Sequence, residues 1–129
     1  MTYILDTHAL VWFLEAFSRL SARARTAISN PTSQLVITSI VLAEVTFLYS
    51  RKRIATDIAE IRRRLLAASN CVVYPLDEQV VSLISTTLEI HDAIVVATAM
   101  LYHDLLGQEV TLITKDEAIT RSGLVEVLW

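Results

Sequence analysis

Five short, continuously apolar runs, each next to a segment of helical periodicity, limit how this chain of 129 residues can fold. The runs are TYILD at 2–6, QLVIT at 34–38, CVVYPL at 71–76, EVTLIT at 109–114 and VEVLW at 125–129. They lack the polar alternation of a half-solvated sheet, so they suit a parallel sheet covered on both faces. The helical segments between them are THALVWFLEA at 7–16, LSARARTAISN at 20–30, SIVLAEVTFLYS at 39–50, TDIAEIRRRLLAAS at 56–69, DEQVVSLISTTLEI at 77–90, HDAIVVATAMLYHDLL at 91–106 and KDEAITRS at 115–122. Ser21 is placed as an N-cap, with Pro31 just beyond the end of its helix. The expected fold class is α/β, three-layer α/β/α with a short, mainly parallel central sheet.

Composition narrows the setting. Apolar residues make up 53% of the chain, and mean hydropathy is +0.50. The most apolar stretches, Ala9–Leu14, Leu35–Leu48 and Ala93–Leu101, fall short of the roughly 18 uninterrupted residues of a membrane span. The first ten residues lack a basic region and are broken by Asp6, unlike a signal peptide. Cys71 is the single cysteine, so no intrachain disulfide forms and a reducing cytoplasm is the expected location. With two glycines and two prolines there is no linker, and residues 1–129 read as one domain. The surplus of apolar residues is expected in elements buried on several sides and in an oligomer interface.

The chemistry is carried by acids. Asp6 ends the first strand and Asp116 follows TLIT by two residues, so both sit on one edge of a parallel sheet, where sites form. Asp92 opens a helix with Val95, Val96 and Ala99 on its own face. Glu44 lies in the helix after QLVIT, about 7.5 Å from its start at 1.5 Å per residue. Ile40, Val41, Phe47 and Leu48 surround it at helical spacing, and burying a lone carboxylate there costs on the order of 3 kcal/mol or more. Asp6, Asp92 and Asp116 each also suit a helix N-cap. A mid-helix Glu44 does not, and its alternative is a buried pair with an arginine. Four converging carboxylates repel unless a divalent cation joins them, and an all-oxygen set suits Mg²⁺ or Mn²⁺ rather than zinc. Such a pocket points to metal-assisted phosphoryl chemistry.

ILDTHALVWFL, SIVLAEV, HDAIVVATAM and LITKDEA together resemble the PIN-domain family, and within it the VapC-type toxins of prokaryotic toxin–antitoxin pairs. The resemblance covers nearly the whole chain. It implies a Mg²⁺- or Mn²⁺-dependent endoribonuclease on an α/β/α sheet, with Asp6, Glu44, Asp92 and Asp116 as catalytic metal ligands. It also implies a homodimer and a cognate antitoxin protein whose C-terminal tail blocks the pocket. The chain departs from the family at His8, where many members carry Asn, and at Thr120, where some carry a further acid. Thr114 matches the family's hydroxyl before the last acid, and Thr7 is a similar candidate beside Asp6. His8 suits contact with substrate or with a metal-bound water, and equally a histidine at a helix start with neither role.

Beyond those four residues, ten acids face eleven basic residues, so the rest of the surface is about neutral. Arg51, Lys52 and Arg53 follow the Glu44 helix and are candidates for the RNA backbone. Arg62–Arg64 suit a solvated helix face. Arg19, Arg23 and Arg25 form a looser group, and Lys115 is better placed for a phosphate. Tyr3, Trp12, Phe13 and Phe17 are assigned to core or interface. Two other metal phosphohydrolase classes fit less well. An HD-type enzyme, suggested by HD at 91–92 and 103–104, needs an all-helical bundle. A haloacid-dehalogenase-type phosphatase needs an Asp at the position of His8. A catalytically silent scaffold that binds RNA or a protein is the non-enzymatic alternative.

Overall fold

The computed structural model describes residues 1–129. Strands β1 (Thr2–Leu5), β2 (Gln34–Thr38), β3 (Cys71–Tyr74), β4 (Val110–Ile113) and β5 (Val127–Leu128) form one sheet in the order β3-β2-β1-β4-β5. Every neighbouring pair is parallel. β1, β2 and β4 are buried along most of their length, which requires cover on both faces. β3 is an edge strand and leaves Val72 and Val73 exposed.

The helices are α1 (Thr7–Glu15), α2 (Ala22–Ser29), α3 (Ser39–Ser50), α4 (Ile58–Ala67), α5 (Glu78–Ser82), α6 (Ile90–Asp104) and α7 (Glu117–Ser122). Ser21 caps α2 by accepting from the Ala24 N–H at 3.0 Å. α6 accounts for much of the apolar surplus: every residue from Ala93 to Ala99 is buried, as are Leu101 and Tyr102. A helix apolar all round belongs inside a protein. It joins β1, β2, β4, Val41 and Val45 in a core of 28 buried hydrophobic residues.

Two expectations are corrected. The helix expected over 77–90 is confined to Glu78–Ser82. The Ser-Thr-Thr stretch that follows bonds to itself instead: Ser85 and Thr87 hydroxyls lie 2.8 Å apart, and the Thr87 N–H donates to Ser85. Such local bonding competes with helix propagation. The stripe around Glu44 is also less buried than expected. α3 buries only Val41 and Val45, and Phe47 is 62% exposed.

Register sets the working edge. Leu5 is aligned with Ile37 on one side and with Ile113 on the other. The next residues, Asp6, Thr38 and Thr114, therefore emerge side by side at the carboxyl ends of three strands. From β1 the chain runs to β2 and β3 on one side of the sheet, and β4 lies on the other. That reversal opens a crevice between the ends of β1 and β4.

Candidate functional site: a carboxylate pocket at the strand ends

Asp6 is the first residue of the crevice. Its Oδ1 accepts from the Ala9 N–H at 2.8 Å, which caps α1. Its Oδ2 accepts from the Thr114 hydroxyl. Thr114 also accepts from the Asp116 N–H at 3.0 Å, so one buried threonine ties the β4–α7 turn to the end of β1. Asp116 in turn caps α7 through the Ile119 N–H at 2.9 Å. Both aspartates are therefore caps and pocket residues at once. Asp92 is not a cap. Glu89 takes that role, accepting from the His91 and Asp92 N–H groups, and leaves the Asp92 side chain free in the first turn of α6.

Asp6, Thr7, His8, Glu44, Asp92, Lys115 and Asp116 line one cavity of about 400 Å³, together with Trp12 and Val95. Three helices and the β4–α7 turn thus meet over the strand ends, and seven residues singled out in the sequence are brought together. Thr114 lies buried behind this wall. Arg51, Lys52 and Arg53 are not part of it. Lys52 and Arg53 line a separate cavity with Glu15 and Tyr49, and Arg51 stacks over Phe47 at 5.8 Å. Arg63 and Arg64 pair with Glu60 on an exposed face of α4.

The pocket is electrostatically unbalanced. Burial, then the charges of Asp116, Glu89, Glu44 and Asp6, push the Asp92 carboxyl up to about 6. Burial also raises Asp6, partly offset by the hydrogen bonds from Thr114 and Ala9. None of the four acids forms an ion pair, so Glu44 has no arginine partner. As the side chains stand, no three His, Cys, Asp or Glu groups close into a cation cage.

Trp12, expected in the core or an interface, packs against the core and also forms an aromatic wall of the pocket. Trp129 packs edge-on against Trp12, with ring centroids 5.4 Å apart and planes at 64°. The signal that pointed there was spacing: His8 and Trp12 are one helical turn apart, which puts them on the same face of α1 as the pocket.

The PIN domain model matches residues 3–123. A comparison with curated proteins finds no match. Among solved structures, the chain is similar to VapBC2 from Rickettsia felis bound to a DNA fragment from its promoter, at a TM-score of 0.69 and 16% identity over 99% of this chain and 98% of that one. It is similar to VapBC-1 from nontypeable Haemophilus influenzae, at a TM-score of 0.65 and 18% identity over 99% and 97% of the two chains. It is also similar to the RRP44 PIN domain of T. brucei, at a TM-score of 0.61 and 18% identity over 98% and 75%. With the family model spanning the crevice and all four acids within residues 3–123, the chain belongs to the PIN domain family.

Proposed function

We propose that the protein is a Mg²⁺- or Mn²⁺-dependent endoribonuclease, the VapC-type toxin of a toxin–antitoxin pair, acting in the cytoplasm. The observation that carries this reading is the gathering of Asp6, Glu44, Asp92 and Asp116 around one cavity with no basic partner. The donor set fits a hard divalent cation, because every donor is a carboxylate oxygen. Asp6 keeps its cap and the Thr114 hydrogen bond and still has lone pairs to give, since each carboxylate oxygen accepts more than once. A bound Mg²⁺ supplies charge neutralisation and an activated water for attack on phosphorus. Around it, Thr114 fixes the Asp6 carboxylate, α6 carries Asp92 inward, and α3 carries Glu44 to the same cavity. Lys115 and His8 stand on the wall where an RNA phosphate enters.

Protein partners have surface available. Leu66 is 82% exposed and Phe47 is 62% exposed, and Val72 and Val73 lie open on the sheet edge. A second copy of the chain and a cognate antitoxin are the partners proposed for this apolar surface. No helix is long and apolar enough to cross a membrane.

Calorimetric titration of Mn²⁺ into the wild type and into Asp6→Ala and Glu44→Gln tests the metal assignment. Saturable binding to the wild type, weakened in both variants, supports it. Equal binding by all three proteins removes Asp6 and Glu44 from the role.

A further inference from the structure

Lys115 of the pocket wall and Arg19, which lies outside the lining, both stand over the Trp12 indole rather than against carboxylates. The Arg19 Cζ lies 4.7 Å from the Trp12 ring centroid and the Lys115 Nζ lies 5.9 Å from it. Both distances fall within the roughly 6 Å reach of a cation–π contact. Neither cation takes part in any of the chain's ion pairs, although Lys115 lines the same cavity as four acids and adjoins Asp116 in the chain. Trp12 is itself fixed. Trp129 packs its edge at 5.4 Å, and His8 tilts on it at 5.6 Å and 53°. Arg19 and Lys115 are both exposed, so neither is spent on holding the core together. The arrangement keeps positive charge beside the carboxylates without letting it neutralise them.

We propose that Trp12, Arg19 and Lys115 form a phosphate subsite at the rim of the pocket, in which the two cations take a backbone phosphate beside the scissile bond and Trp12 is their positioning residue. The inference rests on the ribonuclease reading and adds to it the residues that seat the strand. Carboxylates that hold a metal must stay unpaired, while a polyanionic substrate needs cations close by. A ring that attracts ammonium and guanidinium groups without carrying charge meets both requirements.

The test is binding of a fluorescein-labelled single-stranded RNA in EDTA, followed by anisotropy over a salt series, with steady-state cleavage in Mn²⁺ alongside. Trp12→Leu and the double variant Arg19→Gln/Lys115→Gln are each expected to lower the slope of log K against log salt by about 1.4, two contacts at roughly 0.7 each for a single strand. Both are expected to raise KM several-fold with kcat held within about twofold. Trp12→Phe, which keeps a ring face, retains most of the wild-type slope. Trp12→Leu added to the double variant changes nothing further. Unchanged slopes in a wild-type background that binds and cleaves RNA overturn the inference alone. So does a loss of affinity in Trp12→Leu at constant slope, which makes Trp12 a base-stacking surface instead. If Trp12→Leu does not fold, the double variant and Trp12→Phe carry the same comparison. Wild-type protein that neither binds nor cleaves RNA overturns both the functional reading and the subsite.

Discussion

The Thr114 hydroxyl donates to Asp6 Oδ2 and accepts from the Asp116 N–H, which locks the ends of β1 and β4 into one unit. Thr114 is 1% exposed, so its own hydroxyl is out of reach of water. Thr114→Val leaves Asp6 and the Asp116 N–H short of a partner and is expected to cost about 1–3 kcal/mol. Thr114→Ser keeps the hydroxyl and stays closer to wild type. Urea unfolding of the three proteins measures the stability difference, and Mn²⁺ titration shows whether loosening Asp6 weakens metal binding in parallel.

Glu44→Gln is expected to abolish cleavage and leave the fold intact. In EDTA it is expected to be at least as stable as wild type, because a charge that repels Asp92 is gone. Asp6→Ala also abolishes cleavage but loses the α1 cap, at about 1 kcal/mol before any relief of repulsion. Thermal unfolding in EDTA separates the two. A Glu44→Gln protein that fails to fold contradicts the assignment of Glu44 to the pocket.

Metal-free protein is expected to become more stable as pH falls from 7 toward 5. The folded-state pKa of Asp92 is raised from its ordinary 3.8 to about 6, first by burial and then by the surrounding acids. The folded protein therefore binds a proton in a window where the unfolded chain does not, and stability grows as pH drops through that window. Asp6 is shifted in the same direction. Unfolding midpoints in EDTA across this range should rise on acidification in the wild type and flatten in Asp92→Asn.

Lys52 closes α3 with φ of +57°, a left-handed conformation that disfavours a side chain. Lys52→Gly is expected to stabilise the protein by about 1 kcal/mol. The residue lines a cavity with Glu15, Tyr49 and Arg53, apart from the carboxylate pocket, so cleavage should be unchanged. A large fall in activity would place the Arg51–Arg53 loop in the substrate path.

Particular residues show what the sequence made legible. The parallel sheet followed from QLVIT and its neighbours, because a strand buried on both faces needs no alternation. The four acids followed from their places relative to strand ends and helix turns. For Asp6 and Asp116 the cap and the pocket were posed as alternatives, and geometry joins them: one oxygen of each caps a helix at the sheet edge. For Asp92 the cap belongs to Glu89, because α6 begins before it. Over 83–89 the apolar spacing suggests helix, but the Ser85 and Thr87 hydroxyls bond to each other and α5 ends at Ser82. Trp12 was assigned to core or interface because an indole on an apolar helix carries no mark of the cavity it faces. Its role depends on Arg19, Lys115 and Trp129, of which only Arg19 lies near it in sequence.

Four unpaired carboxylates are proposed to act through a divalent cation on RNA. The most direct measurement is cleavage of single-stranded RNA by purified wild-type protein in Mn²⁺ and in EDTA, with Glu44→Gln as control. Fragments are expected in Mn²⁺ with the wild type alone, and none in EDTA. Cleavage that persists in EDTA, or in Glu44→Gln at the wild-type rate, would contradict that proposal.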